Sequence, residues 1–250
     1  MDLLVKQDVQ SSEKKVEITT LQYGKHNDNI EESFNKILKG GSWKKQRIVV
    51  VLPAAYDIPT KVALSHWGLI FPSNQAVFRM LALGHEVGEA YSNCIQFILD
   101  HPELSQWEYI LTIEHDNIPP PDGVIKLLNQ MELHPEYDCI GGLYWTKGEI
   151  GVPHIWGDIK DPILNFRPQP PVPGKLIECY GTSMGFHLWR ISMFKDNKLR
   201  KPWFKTQTDE HGMSTQDLYF WMDAKKYGYR CAVDCDVKVG HYDNKTGIVW

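Results

Sequence analysis

The sequence has few cysteines and no long hydrophobic run. Its five cysteines, an odd number in 250 residues, are scattered and form no Cys-x-x-Cys pair, so we expect neither a thiolate zinc site nor a disulfide framework. No stretch approaches the roughly 18 consecutive apolar residues that a transmembrane helix needs, and the first residues lack the apolar core of a signal peptide. We therefore expect a soluble protein with reduced thiols, without a transmembrane segment, in a cytoplasmic compartment.

The sequence also lacks a strong excess of either charge. The formal net charge is −4 and the isoelectric point is near 6.2, which gives no general attraction to nucleic acid or anionic membranes. Hydrophobic residues make up 42% of the chain, enough for a full core, so a largely disordered protein is excluded. The absence of His-Glu-x-x-His disfavours a hydrolytic zinc enzyme.

Hydrophobic patterning predicts an arm followed by one large domain. Residues 1–45 are polar and charged, and we expect a partly ordered N-terminal arm with one edge strand at 16–23, for oligomerisation or for acceptor binding. From residue 46 onward, β-branched runs alternate with amphipathic stretches such as 85–101. This βαβ spacing predicts an α/β fold, a Rossmann-like three-layer sandwich with a mostly parallel central sheet and a small antiparallel extension.

The alternation stops after residue 144. Residues 146–175 are rich in proline and glycine and predict a long loop, which divides the domain 46–250 into halves 46–144 and 145–250. In the second half we expect a helix over 214–227, ended by Gly228 at its C-terminus. Two separate closing strands are predicted in RCAVD (230–234) and DVKVG (236–240).

Three polar residues follow a buried-looking strand at its carboxyl end. Glu114, His115 and Asp116 come directly after EYILTI (108–113), where open parallel sheets bind ligands. Burying such charges without a partner is costly, and carboxylates are the ligands that Mg²⁺ and Mn²⁺ prefer. From the residues alone, a cation site and a solvated acidic loop both remain open.

Two further side chains are candidates for the same site. Asp217 begins an apolar helix, which suits either a rigidly held general base or, with Ser214, a helix cap. His241 follows the last strand, where it is either structural or, with Asp116, part of an oxygen–nitrogen metal site.

The order of these segments resembles the GT-A glycosyltransferases, particularly small relatives of family 2. The resemblance spans about residues 47–241 and implies the GT-A fold and a metal-dependent, inverting transfer of a sugar from a nucleotide-diphosphate sugar, UDP- or GDP-linked, to an acceptor hydroxyl. The segments that carry it are EHDN (114–117), GGLY (141–144), GTSMGFHLWR (181–190), PWF (202–204), TQDLYFWMDAKKYGYRCAVD (215–234) and DVKVGH (236–241).

The resemblance also implies roles for individual residues. Asp116 and His241 match the ligands of a divalent cation, Mn²⁺ or Mg²⁺, and Asp217 matches the catalytic base. The first half would bind the donor and the second half the acceptor, which is a glycan, a lipid-linked sugar, a protein or a modified nucleic acid. The implied donor-binding residues are Pro53, Ala54, Ala55, Asn93, Glu114, His115, Gly181 and Thr182.

The sequence departs from the family pattern at several positions. Glu114 stands for the first aspartate of the metal motif, Gln216 for the usual glutamate before the base, and Ser92 for an arginine near the nucleotide. Two other classes stay open: a sugar nucleotidyltransferase of related fold, and a non-catalytic module that binds nucleotide or sugar. The first usually has a glycine-rich loop after its first strand, whereas this chain has only Lys61 there.

Overall fold

The structure is a computed structural model that describes residues 4–11, 14–21, 47–73, 76–209 and 212–250. The chain forms two compact units, 1–45 and 46–250. In the first unit, strands β1 (Leu4–Ser11) and β2 (Lys14–Leu21) pair antiparallel, so this unit contains two strands where the sequence predicted one. The rest of the predicted arm lies outside the described residues.

The second unit is built on an eight-stranded mixed sheet. Its strands are β3 (Ile48–Ala54), β4 (Val77–Leu83), β5 (Tyr109–Ile113), β7 (Cys139–Leu143), β8 (Ile155–Asp158), β9 (Leu176–Thr182), β10 (Phe186–Arg190) and β13 (Cys231–Lys238). They lie in the order β4-β3-β5-β10-β7-β13-β9-β8. All except β9 and β10 run in one direction, because β10 is antiparallel to both its neighbours and β9 to β13 and β8.

The expected α/β fold with a mostly parallel sheet is therefore confirmed, with one unexpected feature. The antiparallel extension lies at one edge, in β9 and β8, as predicted. Strand β10 was not expected in the middle of the sheet, where it separates β5 from β7. Two short ribbons complete the strands: β6 (Asn117–Ile118) with β14 (Gly240–His241), and β11 (Gln207–Asp209) with β12 (Gly212–Ser214).

Helices cover both faces of the sheet, which gives three layers. The helices are α1 (Thr60–Trp67), α2 (Val87–Asp100), α3 (Gly123–Leu133), α4 (Ile191–Phe194) and α5 (Gln216–Ala224). Apolar residues of α2 and α5 share one core with Trp189 of β10, and those of α3 share the other core with Leu188. A short 3₁₀ turn after α5 ends at Gly228, whose φ of 84° is the left-handed cap expected there. None of the helices in the described ranges is long and apolar enough to cross a bilayer.

Two predicted boundaries were wrong. The segment 146–175 is not entirely loop, since β8 lies within it and pairs with β9. The two predicted closing strands form the single strand β13, which shifts register between Asp234 and Lys238. At this irregularity the Asp234 carboxylate accepts the backbone N–H of Asp236 at 2.9 Å. The Asp234 side chain thus provides an acceptor for the backbone N–H of Asp236 at the register shift. The chain continues as one strand instead of turning.

Candidate functional site

A tight turn at the end of β5 presents the predicted acidic residues. The N–H of Asn117 donates to the carbonyl of Glu114 at 3.1 Å, and the N–H of Glu114 donates to the carbonyl of Gly185 at 3.0 Å. The turn leads directly into β6, which pairs with β14. The motif therefore has a fixed backbone on a rigid sheet rather than belonging to a free loop.

A pocket of about 270 Å³ opens where β3 and β5 end. An adjoining cavity of about 390 Å³ shares Ala55, His115 and Asp116 with it. The end of β3 and the turn after β5 therefore meet at one pocket. The pocket is lined by Pro53, Ala54, Ala55, His85, Val87, Glu114, His115, Asp116 and Gln216.

Asp116 lines this pocket, and His241 faces Asp116. The Nε2 atom of His241 is 3.5 Å from Oδ2 of Asp116, and its Nδ1 atom is 2.7 Å from the carbonyl oxygen of Trp145. A carbonyl only accepts hydrogen bonds, so Nδ1 carries a proton and Nε2 is the ring nitrogen that faces Asp116. Metal-ligating histidines are oriented by such a bond on their second nitrogen.

The Asp116 carboxylate is kept ionised and is only partly satisfied. Burial alone would raise its pKa, but hydrogen bonds from His241 and Lys147 lower the pKa well below its usual range. Lys147 Nζ lies 2.5 Å from Oδ2, whereas the buried Oδ1 atom has no hydrogen-bond partner. An ionised carboxylate beside an imidazole nitrogen, on a ring oriented by its second nitrogen, suits a divalent cation.

No group of three or more histidine, cysteine or acidic side chains with metal-holding spacing occurs among the described residues. A cation at this place would therefore take only Asp116 and His241 from the protein. That number is ordinary for Mg²⁺ at phosphate-binding sites, where one or two carboxylates are completed by substrate phosphates and water.

Glu114 differs electrostatically from Asp116, although only one residue separates them. Burial, together with the negative charges of Asp116 and Asp217, raises the pKa of Glu114 to about 8. Its carboxyl group is therefore protonated at neutral pH in the protein alone, and a protonated carboxyl is a hydrogen-bond donor. The effect of Asp217 on this pKa also shows that α5 brings its first acidic residue close to the motif.

Asp217 is buried at the start of α5 and held by several donors. Its Oδ1 atom accepts the N–H of Leu218 at 2.9 Å and the hydroxyl of Thr215. Burial raises the pKa of this carboxyl, while hydrogen bonds from Thr215, Leu218 and Ser183 lower it; the net shift is upward. Asp217 is thus both a rigid carboxylate and a better proton acceptor than an exposed aspartate.

Ser183 and His154 lie between this carboxylate and His241, and the sequence did not reveal them. The Ser183 hydroxyl contacts Nδ1 of His154, and the His154 ring lies 6.0 Å from the ring of His241. Burial lowers the pKa of His154 to about 3, so the ring is neutral. His154 lies in the segment predicted as loop, where no periodicity marked it as buried.

Three predicted donor-binding residues lie away from the pocket. Exposed Asn93 lines a separate depression beside β4. Thr182 is fully buried, with its carbonyl accepting the indole N–H of Trp221 at 3.0 Å. A Cβ on Gly181 would lie 3.0 Å from the ring of Phe166, so this glycine admits core aromatics rather than a ligand.

Ser92 has a structural role. It is buried, and its hydroxyl bonds both the carbonyl and the N–H of Phe204 at 3.1 Å. It thereby ties α2 to the segment before β11, and it is not one of the residues that line the pocket.

Comparison with family models finds none that matches this chain, and no curated protein is significantly similar to it in sequence. Among solved structures, the one titled "Crystal Structure of A197 from STIV" is similar, with a TM-score of 0.56 and 15% identity. The match covers 80% of this chain and 87% of that chain. At this identity the likeness concerns the fold alone, and it agrees with the α/β sandwich described above.

Proposed function

We propose that this protein is a GT-A glycosyltransferase that moves a sugar from a nucleotide-diphosphate sugar to an acceptor hydroxyl, with inversion and with a divalent cation. The observation that carries the proposal is the pairing of Asp116 with the oriented Nε2 atom of His241. Asp116 of this pair lines a pocket at the ends of β3 and β5, and the buried Asp217 follows Gln216, another lining residue.

The donor fits the pocket by its chemistry. The two adjoining cavities meet at Asp116, so a nucleoside bound beside Pro53–Ala55 would place its phosphates at the cation site. Glu114, protonated at neutral pH because of its raised pKa, supplies a donor for a hydroxyl or carbonyl of the nucleoside. Asp116 and His241 would hold the cation, which when bound supplies positive charge to the departing diphosphate.

Asp217 carries the proton transfer in this proposal. The acceptor oxygen forms a bond to C1 of the sugar, its proton passes to the Asp217 carboxylate, and the C1–O bond to the diphosphate breaks with its electron pair remaining on the phosphate oxygen. Thr215 and Ser183 fix the carboxylate, and its raised pKa favours proton uptake. A single displacement of this kind inverts the configuration at C1.

The proposal is tested by a thermal-shift panel of UDP-, GDP-, CDP- and dTDP-sugars, each with and without Mn²⁺. A donor that binds only the native state raises the melting temperature, and we expect one nucleotide to do so only with Mn²⁺. Asp116→Asn should remove that shift. The matched control Asp196→Asn changes a carboxylate that bonds the Tyr229 hydroxyl outside the pocket and should retain it.

Other outcomes separate the remaining classes. Pyrophosphate release from a nucleoside triphosphate and a sugar phosphate would identify a nucleotidyltransferase. Nucleotide binding that is indifferent to Mn²⁺, with no sugar transfer to any acceptor, would identify a binding module. A panel in which no nucleotide sugar raises the melting temperature would overturn the proposal.

A further inference from the structure

A closed loop at the rim of the cation site carries Lys147. Its base is fixed, because the N–H of Thr146 donates to the carbonyl of Val152 at 2.9 Å and the N–H of Val152 donates to the Thr146 hydroxyl at 2.9 Å. Its tip is open: Gly148 has a φ of +108° with nothing near its Cβ position, and Ile150 is 93% exposed. Lys147 therefore extends from an anchored base, next to a tip that makes few contacts.

The ammonium group of Lys147 lies where a cation would bind. Its Nζ atom is 2.5 Å from Oδ2 of Asp116, the same oxygen that lies 3.5 Å from Nε2 of His241. An ammonium group and a divalent cation repel each other, so both cannot occupy this position at once. A cation held by both Asp116 and His241 takes Oδ2, the oxygen that faces Nε2, and therefore competes with Lys147 for that oxygen.

Lys147 also borders a cavity that could receive its ammonium group. It lines the cavity of about 390 Å³ that adjoins the nucleoside pocket, and its side chain is 33% exposed. A lysine side chain is flexible and binds phosphate as a point charge. A rotation of the side chain, without movement of the anchored base, would carry Nζ from the carboxylate into that cavity.

We propose that Lys147 exchanges partners when the donor binds. It pairs with Asp116 in the protein alone and binds the diphosphate once a cation takes its place on the carboxylate; this rests on the proposed function. Breaking the bond between C1 and the diphosphate leaves an additional negative charge on the phosphate oxygen. The Lys147 ammonium group neutralises part of that charge, so it favours departure as well as binding.

The exchange predicts opposite changes in two affinities, measured on Lys147→Met. Mn²⁺ alone, titrated by electron paramagnetic resonance, should bind about 5-fold or more tightly because its competitor is gone. UDP or GDP, whichever the wild type binds, should bind about 10- to 100-fold more weakly at saturating Mn²⁺, as expected for a lost hydrogen bond to a charged group. Lys147→Arg should recover much of the nucleotide affinity.

The control is Lys195→Met, which removes an exposed lysine after α4 that does not line the cavity. If Lys147 only stabilised the loop, its replacement would weaken both affinities, and the exchange would be overturned. Unchanged Mn²⁺ affinity would also overturn it. Tighter Mn²⁺ binding with unchanged nucleotide binding would exclude the diphosphate contact. Failure of the wild type to bind any Mn²⁺–nucleotide would instead contradict the proposed function itself.

Discussion

The Nε2 atom of His241 lies 3.5 Å from Oδ2 of Asp116, although the two residues belong to opposite halves of the second unit. The backbone holds them there, because Asn117 pairs with His241 between β6 and β14 and the N–H of Tyr242 donates to the carbonyl of Asp116 at 2.7 Å. With a proton on Nδ1, Nε2 is the ring nitrogen left to bind a cation beside the carboxylate, and the pairing of β6 with β14 preserves the spacing of the two side chains.

Replacing His241 should therefore weaken metal binding. We expect His241→Gln to lower Mn²⁺ affinity by about 10-fold or more, because the oriented lone pair is lost, as measured by titration of free Mn²⁺. His134→Gln is the matched control, since His134 contacts Glu136 after α3 at 3.2 Å and lies outside the pocket lining. Equal Mn²⁺ affinity in the wild type and His241→Gln would exclude His241 as a ligand.

Asp217→Asn should separate chemistry from binding. Loss of a general base typically costs about 10²- to 10⁴-fold in turnover, while the donor pocket, in which Gln216 rather than Asp217 is a lining residue, should keep its nucleotide affinity. Turnover is measured by a sugar-transfer assay and nucleotide affinity by thermal shift, on one preparation of the variant. Asp223→Asn, on the same helix, is the control because its carboxylate bonds the Arg200 backbone. Near-normal transfer by Asp217→Asn would remove it from the base role.

The strands and helices of the second unit were predictable where a buried face leaves a periodic pattern. The continuous apolar runs of β3, β5 and β7 and the amphipathic α2 were all located from the sequence. The position of β10 in the sheet was not predicted from the sequence. An antiparallel strand that is buried on both faces has the same continuous apolar pattern as a parallel strand. Strand β8 is short and lies among prolines and glycines, so its pairing with β9 left no local signal.

The sequence indicated candidate site residues only where polar side chains directly follow a predicted strand. Glu114 and Asp116 were singled out because polar residues follow a buried strand, whereas Pro53–Ala55 were proposed only from the family resemblance; the structure places all of these residues on one pocket. Ser183, His154 and Lys147 were missed, because each depends on long-range packing that a single sequence does not show. Gly181 was assigned to the donor for its small size, whereas its size serves the packing of Phe166 and Trp221.

Gly185→Ala should destabilise the protein by crowding the residues that pack against the acidic turn after β5. A Cβ at this position would overlap the Asn117 amide and lie 2.6 Å from the Tyr144 hydroxyl, and both neighbours belong to the packed core. We expect a loss of about 1–3 kcal/mol in the free energy of unfolding, as for other overpacked sites, measured by urea denaturation. Gly68→Ala, whose added Cβ would meet only ordinary contacts at 3.5 Å, should change it far less. Similar stability of the two variants would contradict this packing.

His187 should make the stability of the protein depend on pH. The ring is fully buried in β10 and its Nε2 atom has no partner, and burial lowers its pKa from 6.5 to about 3. Between these values the unfolded chain binds a proton at this ring and the native state does not. Since the unfolded state then binds more protons, the free energy of unfolding falls as pH falls, by up to about 1.4 kcal/mol per pH unit.

The measurable quantity is the slope of unfolding free energy against pH between about pH 4 and 6. His66 and His154, whose pKa values are also lowered by burial, contribute slopes of the same sign, so the wild type combines several sites. His187→Gln should reduce the slope by about one proton even if it changes the stability itself, because only proton uptake enters the slope. The control His134→Gln removes a partly exposed ring. A slope identical in wild type and His187→Gln would mean that the buried ring takes up its proton in the folded protein.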